Sequence, residues 1–70
     1  MTTIAEMIQK EVQVKAVADA RMLSSLSEFQ ACAMENNGAG MNSAREKIHA
    51  LQDIILDSSA TLYHLILKNS

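Results

Sequence analysis

The sequence predicts an all-α protein: an antiparallel two-helix hairpin, coiled-coil-like in its packing, that completes a bundle with a partner. Three observations predict this. The chain has no proline, and its only two glycines, Gly38 and Gly40, sit together near its middle. Good helix formers (alanine, leucine, methionine, glutamate, glutamine, lysine) fill the sequence on both sides of them. The apolar residues recur at helical rather than strand spacing in both halves.

The first helix is expected over about residues 4–35. Thr3 followed by Glu6 fits a capping box, in which each side chain reaches the other's free backbone N–H. Ile4, Ile8, Val12, Ala16, Met22, Leu23, Leu26, Phe29 and Ala33 then fall on one broad face. Glu6, Lys10, Arg21, Glu28 and Glu35 fall opposite. Such a helix is roughly 48 Å long at its usual rise.

The break is expected over residues 36–42, led by Asn36-Asn37-Gly38-Ala39-Gly40. Asparagine and glycine tolerate the left-handed conformation that closes a helix. A connection this short favours antiparallel neighbours.

The second helix is expected over about residues 44–68, opened by a further capping box at Ser43 and Glu46. Ala44, Ile48, Leu51, Ile55, Leu62 and Ile66 form a seam at coiled-coil spacing, interrupted at Ser58 or Ser59. Leu56, Ala60, Tyr63 and Leu67 form a second row about 100° round the helix. Ile54 and Leu65 widen the first seam on its other side. Lys68 in the last turn suits the helix dipole. On these boundaries the second helix is the shorter, and the first turns of helix 1 overhang.

The apolar side of the second helix is too wide for one partner helix to cover. The region of helix 1 expected opposite it, Ile8 to Ala16, is thin, with small alanines beyond it and polar interruptions at Lys15 and Asp19. The surplus predicts a second molecule. The candidate partner-binding residues are Ile54, Leu56, Leu62, Tyr63, Leu65, Ile66 and Leu67, with Ile8 and Val12 from helix 1. Tyr63, the single tyrosine, either anchors that interface or packs back onto helix 1.

Other constellations have plainer readings. Glu11, Lys15 and Asp19 step by four along helix 1. They are either a polar device that sets partner register or a ladder of ion pairs at the edge of the buried stripe, the preferred reading. His49, Asp53, Asp57 and His64 share one side of helix 2, but helix 1 offers no histidine to complete a metal site, so they read as a solvated face. Met22 is expected in the core, and Met7, Met34 and Met41 as gap fillers or adaptable surface. The lone Cys32 cannot form an internal disulfide and reads as a small, partly buried side chain in a reducing compartment.

Several function classes lose support. There is no glycine-rich phosphate loop after a strand, no nucleophile elbow and no paired cysteine motif, so no enzyme activity, cofactor or metal is expected. A net charge of −2 without basic runs argues against nucleic acid. Met1-Thr2-Thr3 lacks the basic start of a signal peptide, and no apolar run reaches the ~18 residues of a membrane span. A cytoplasmic location is the expectation.

The turn Met34-Glu35-Asn36-Asn37-Gly38 and the helix end Tyr63-His64-Leu65-Ile66-Leu67-Lys68-Asn69-Ser70 resemble the corresponding parts of the small YscE-type co-chaperones of bacterial type III secretion systems, a family that includes the EscE and SsaE branches. The likeness covers about half the chain. It implies a cytoplasmic virulence-associated protein-transport role. Members bind and stabilise a larger helical-repeat chaperone, and the pair keeps the needle subunit soluble before export. The alternative is a homodimeric four-helix bundle acting as a regulator or scaffold.

Overall fold

In the computed structural model two helices, α1 (Ile4–Met34) and α2 (Gly38–Lys68), pack against each other as a hairpin. The structure describes residues 2–68. The all-α two-helix hairpin that the sequence predicts is the observed fold.

Helix α1 begins as its sequence predicts. The Thr3 side chain accepts a hydrogen bond from the Glu6 backbone N–H at 3.1 Å. The return contact differs from a full capping box: the Thr3 hydroxyl, not its backbone N–H, donates to the Glu6 carboxylate at 3.3 Å. At the other end Asn36 adopts a left-handed conformation, φ 54°. The Asn37 N–H donates to the Cys32 carbonyl at 2.8 Å and the Asn36 N–H to the Ala33 carbonyl at 3.2 Å. These are the paired bonds of a Schellman close. Asparagine, not glycine, takes the left-handed position.

Helix α2 starts at Gly38, well before the expected Ala44. Asn37 is its cap: the Asn37 Oδ1 accepts from the Gly40 N–H at 3.0 Å, and its carbonyl accepts from Met41 at 3.0 Å. Ser43 therefore lies inside the helix and caps nothing. Two adjacent asparagines thus close one helix and open the next, which shortens the turn. Both helices are 31 residues long, so α1 does not overhang α2.

The seam follows a strict alternation of three- and four-residue steps. In α1 the buried or half-buried positions are Ile4, Ile8, Glu11, Lys15, Ala18, Met22, Ser25, Phe29 and Cys32, with Asp19 beside them. In α2 they are Ala44, Ile48, Leu51, Ile55, Ser58, Leu62 and Leu65, with Gly40 and Met41 by the turn. This is the 3.5-residue period of a coiled-coil seam. It corrects the face read from apolarity alone. Val12, Ala16, Leu23, Leu26 and Ala33 of α1, and Ile66 of α2, are exposed, while Ala18, Ser25 and Ser58 are buried. Small side chains occupy the tightest layers and let the helices approach closely. Ala44 is 0 % exposed and Ser58 2 %.

Contacts between the helices set the register. Glu28 and Lys47 pair at 3.2 Å, the Arg45 guanidinium lies 5.8 Å from the Phe29 ring centroid, and Gly40 sits against Cys32. Continuing that register brings Lys15 to the level of Ser58 and Glu11 to that of Leu62. In α1 the half of the seam far from the turn is therefore interrupted by two charged residues, Glu11 and Lys15, between Ile8 and Ala18. The Lys15 stem can lie along the seam while its Nζ meets Asp19 at 2.9 Å. The ion-pair ladder is thus present in part, with Lys15 at a seam position and Asp19 at the seam's edge.

The hairpin is a rod 50 Å long and 17 by 14 Å across. Its radius of gyration is 15.8 Å, against about 11 Å for a compact chain of this length.

Candidate partner-binding faces

The 3.5-residue seam divides each helix into two flanks and an outer strip, and the flanks of the two helices meet on either side of the rod. One flank gathers Val12, Ala16, Leu23 and Leu26 of α1 with Leu56, Tyr63 and Ile66 of α2. Its charged residues are Asp19, already held by Lys15, and Arg45, which lies over Phe29. The other flank carries Lys10, Arg21, Glu28 and Glu35 of α1 with Lys47, Asp57 and Lys68 of α2. Among these, Met7, Val14, Val17 and Ile54 are exposed. The hairpin thus has one charge-poor side, which Gln9, Gln30, His49 and Gln52 share with the apolar residues, and one charged side.

The candidate residues from the sequence are distributed over these regions. Val12, Leu56, Tyr63 and Ile66 come together on the charge-poor flank, 50 %, 60 %, 62 % and 55 % exposed. Ile8, Leu62 and Leu65 are half-buried in the seam and hold the hairpin itself. Ile54 faces the charged flank, and Leu67 is exposed on the outer strip. Tyr63 does not fold onto α1; its ring meets that of His64 edge-on, at 6.1 Å between centroids.

Sequence reasoning placed Leu23 and Leu26 on the one broad apolar face of helix 1, and here they extend the exposed flank toward the turn, 69 % and 48 % exposed. Two signals separate them from the core. They break the three-four alternation that runs through Met22, Ser25 and Phe29, and the i,i+4 pair Lys15–Asp19 marks where the seam lies. Val14 and Val17 were also missed. They line an open groove of about 480 Å³ with Lys10, Arg21, Leu51 and Ile54.

The whole chain exposes 5255 Å². A compact protein of 7.7 kDa exposes about 4300 Å². The difference is similar to the roughly 800 Å² that one partner contributes to a standard protein interface.

Other chemistries find little here. Among the described residues no group of three or more His, Cys, Asp and Glu side chains is placed to hold a metal ion. Among the described residues no helix is long and apolar enough to cross a membrane. The Cys32 thiol is half-buried against the first turn of α2. Met22 and Met41 are half-buried, while Met7 and Met34 are exposed. No protein-family model, curated protein or solved structure matches the chain.

Proposed function

We propose that this protein is a small adaptor of the co-chaperone type, which binds and stabilises a larger helical protein by laying its charge-poor flank against it. The observation that carries this reading is the segregation of charge. A run of exposed leucine, isoleucine, valine and tyrosine with almost no charge has the composition of an interface core. Tyr63 is suited to anchor it, being apolar in body and polar at its tip.

The resemblance of the turn and of the C-terminal helix to YscE-type co-chaperones supports a narrower reading. The partner is then a helical-repeat chaperone, the cargo held by the pair is a type III secretion needle subunit, and the site of action is the cytoplasm. The competing occupant of the same flank is a second copy, which would give a four-helix bundle with a regulatory or scaffold role. The near neutrality of the flank favours that reading as well, since two copies meet there without like-charge repulsion.

Two measurements separate them. Light scattering over a concentration series gives the mass of the isolated chain, and co-expression with a helical-repeat chaperone and its needle subunit gives their soluble yield. The adaptor reading expects a monomer or weak self-association, and a rise in soluble chaperone that Leu56→Asp with Ile66→Asp removes. A stable dimer that the same double variant converts to a helical monomer, with no effect on the chaperone, would replace it with the homodimer reading.

A further inference from the structure

We propose that the charged flank carries a second, independent docking groove, which takes an acidic amphipathic helix of a partner protein. Val14, Val17 and Ile54 form its exposed apolar floor, 40 %, 53 % and 44 % accessible, over the buried Ala18 and Leu51. Lys10 and Arg21 stand at its two ends. Neither takes part in an ion pair among the described residues, and no carboxylate lines this part of the groove. Toward the turn the first acidic side chain along its continuation, Glu28, is held by Lys47. The groove's own lining therefore carries two cations and no carboxylate, on a chain whose net charge is −2; Asp57, on the same flank one turn beyond Ile54, lies outside that lining.

That combination selects its occupant by charge complementarity. Lys10 and Arg21 are eleven positions apart on α1, about 16 Å along the axis. An incoming helix spans this distance in three turns. It would set apolar side chains at i+4 and i+7 onto the valines, and carboxylates at i and i+11 against the cations. Two isolated cations over an apolar floor suit a protein helix better than nucleic acid or an anionic membrane, both of which need a denser basic surface. The groove lies across the rod from the charge-poor flank, so both sites can be filled at once and this inference does not rest on the adaptor reading.

The test uses a fluorescein-labelled helical peptide of about 18 residues with leucines at i+4 and i+7 and glutamates at i and i+11. A matched peptide with lysines in place of the glutamates is the control. Anisotropy titrations with the full chain should show saturable binding of the acidic peptide, at least tenfold tighter than the lysine peptide and weaker at higher salt. Lys10→Glu with Arg21→Glu should reverse the preference. Val17→Asp should weaken binding at least tenfold while circular dichroism stays helical. Leu56→Asp, on the opposite flank, should leave peptide binding unchanged, which separates failure here from failure of the adaptor reading. Equal binding of both peptides, no reversal in the charge-swapped variant, or tighter binding to vesicles rich in phosphatidylserine than to the peptide would each overturn the proposal.

Discussion

Gly40 is where one hydrogen atom does what no other side chain could. A methyl group at that position would stand 2.5 Å from the Cys32 Sγ and 2.7 Å from the Asn37 Nδ2. The first contact is across the hairpin, and the second is with the side chain that caps α2. Gly38, two residues away, has open space around it. Alanine is the better helix former at both positions, by up to about 1 kcal/mol in a helix interior. The two substitutions should therefore diverge. Gly38→Ala is expected to leave the melting temperature unchanged or raise it. Gly40→Ala should lower stability by about 1–3 kcal/mol, the usual cost of overpacking, and Cys32→Ala on that background should recover part of the loss. Thermal melts followed by circular dichroism at 222 nm check all three, and equal effects at the two glycines would contradict the geometry. Asn36 supplies a second residue-scale case. Its φ of 54° strains an ordinary side chain, so Asn36→Ala should cost about 1 kcal/mol and Asn36→Gly should cost nothing.

At the scale of the helices, the seam and the faces respond in opposite ways to the same chemistry. Leu62 is half-buried between the helices, whereas Ile66, one turn on, is 55 % exposed. Leu62→Asp should unfold the hairpin or cost at least about 2 kcal/mol, since it places a carboxylate among apolar side chains. Ile66→Asp should stay within about 0.5 kcal/mol of the parent in the isolated chain. Denaturant melts that ranked the two the other way would mean the seam has been misassigned. Lys15 supplies the converse test. It holds a seam position at the level of Ser58 and is stabilised there only by its stem and by Asp19. Lys15→Met should raise stability by about 1 kcal/mol, because a half-buried charge gives way to apolar packing. Two helices, a central turn and a heptad seam in α2 were legible in the sequence, because proline is absent, glycine is confined to the turn region and apolar spacing is regular. The face of α1 was not. Its apolar residues outnumber its seam positions, and the small residues Ala18 and Ser25 win those positions by letting the backbones approach. Asn37 was read as part of a loop because a glycine-rich stretch obscures its role as a cap. The charge-poor flank was half legible for the same reason: Val12, Leu56, Tyr63 and Ile66 lie exposed on it, but exposure could not be told from apolarity while the seam of α1 was unassigned.

For the molecule as a whole, a 50 Å rod two helices wide has no interior beyond its seam. The buried apolar side chains among the described residues are Ala18, Ala44 and Leu51, and two serines fill other buried positions. Each helix is long enough for substantial intrinsic helicity, yet the packing that fixes the pair is thin and is interrupted by Glu11 and Lys15 away from the turn. Such a hairpin is expected to be helical but weakly cooperative alone, and to gain stability chiefly by linkage to whatever covers its charge-poor flank. The gain is set by mass action. A partner present at a hundred times its dissociation constant adds about 2.7 kcal/mol, and at a thousand times about 4.1 kcal/mol. For a small domain each kcal/mol shifts the melting temperature by about 4–8 °C. A helical partner that occupies the flank should therefore raise the midpoint by more than 10 °C on this arithmetic. The rise should grow with the logarithm of partner concentration and should disappear in Leu56→Asp with Ile66→Asp. If the covering molecule is a second copy, the same signature appears in the isolated chain, with a midpoint that climbs as the protein itself is concentrated. A sharp, cooperative transition at a fixed temperature, unmoved by dilution or by any helical partner, would mean that the exposed flank is tolerated in water and that the rod is complete as it stands.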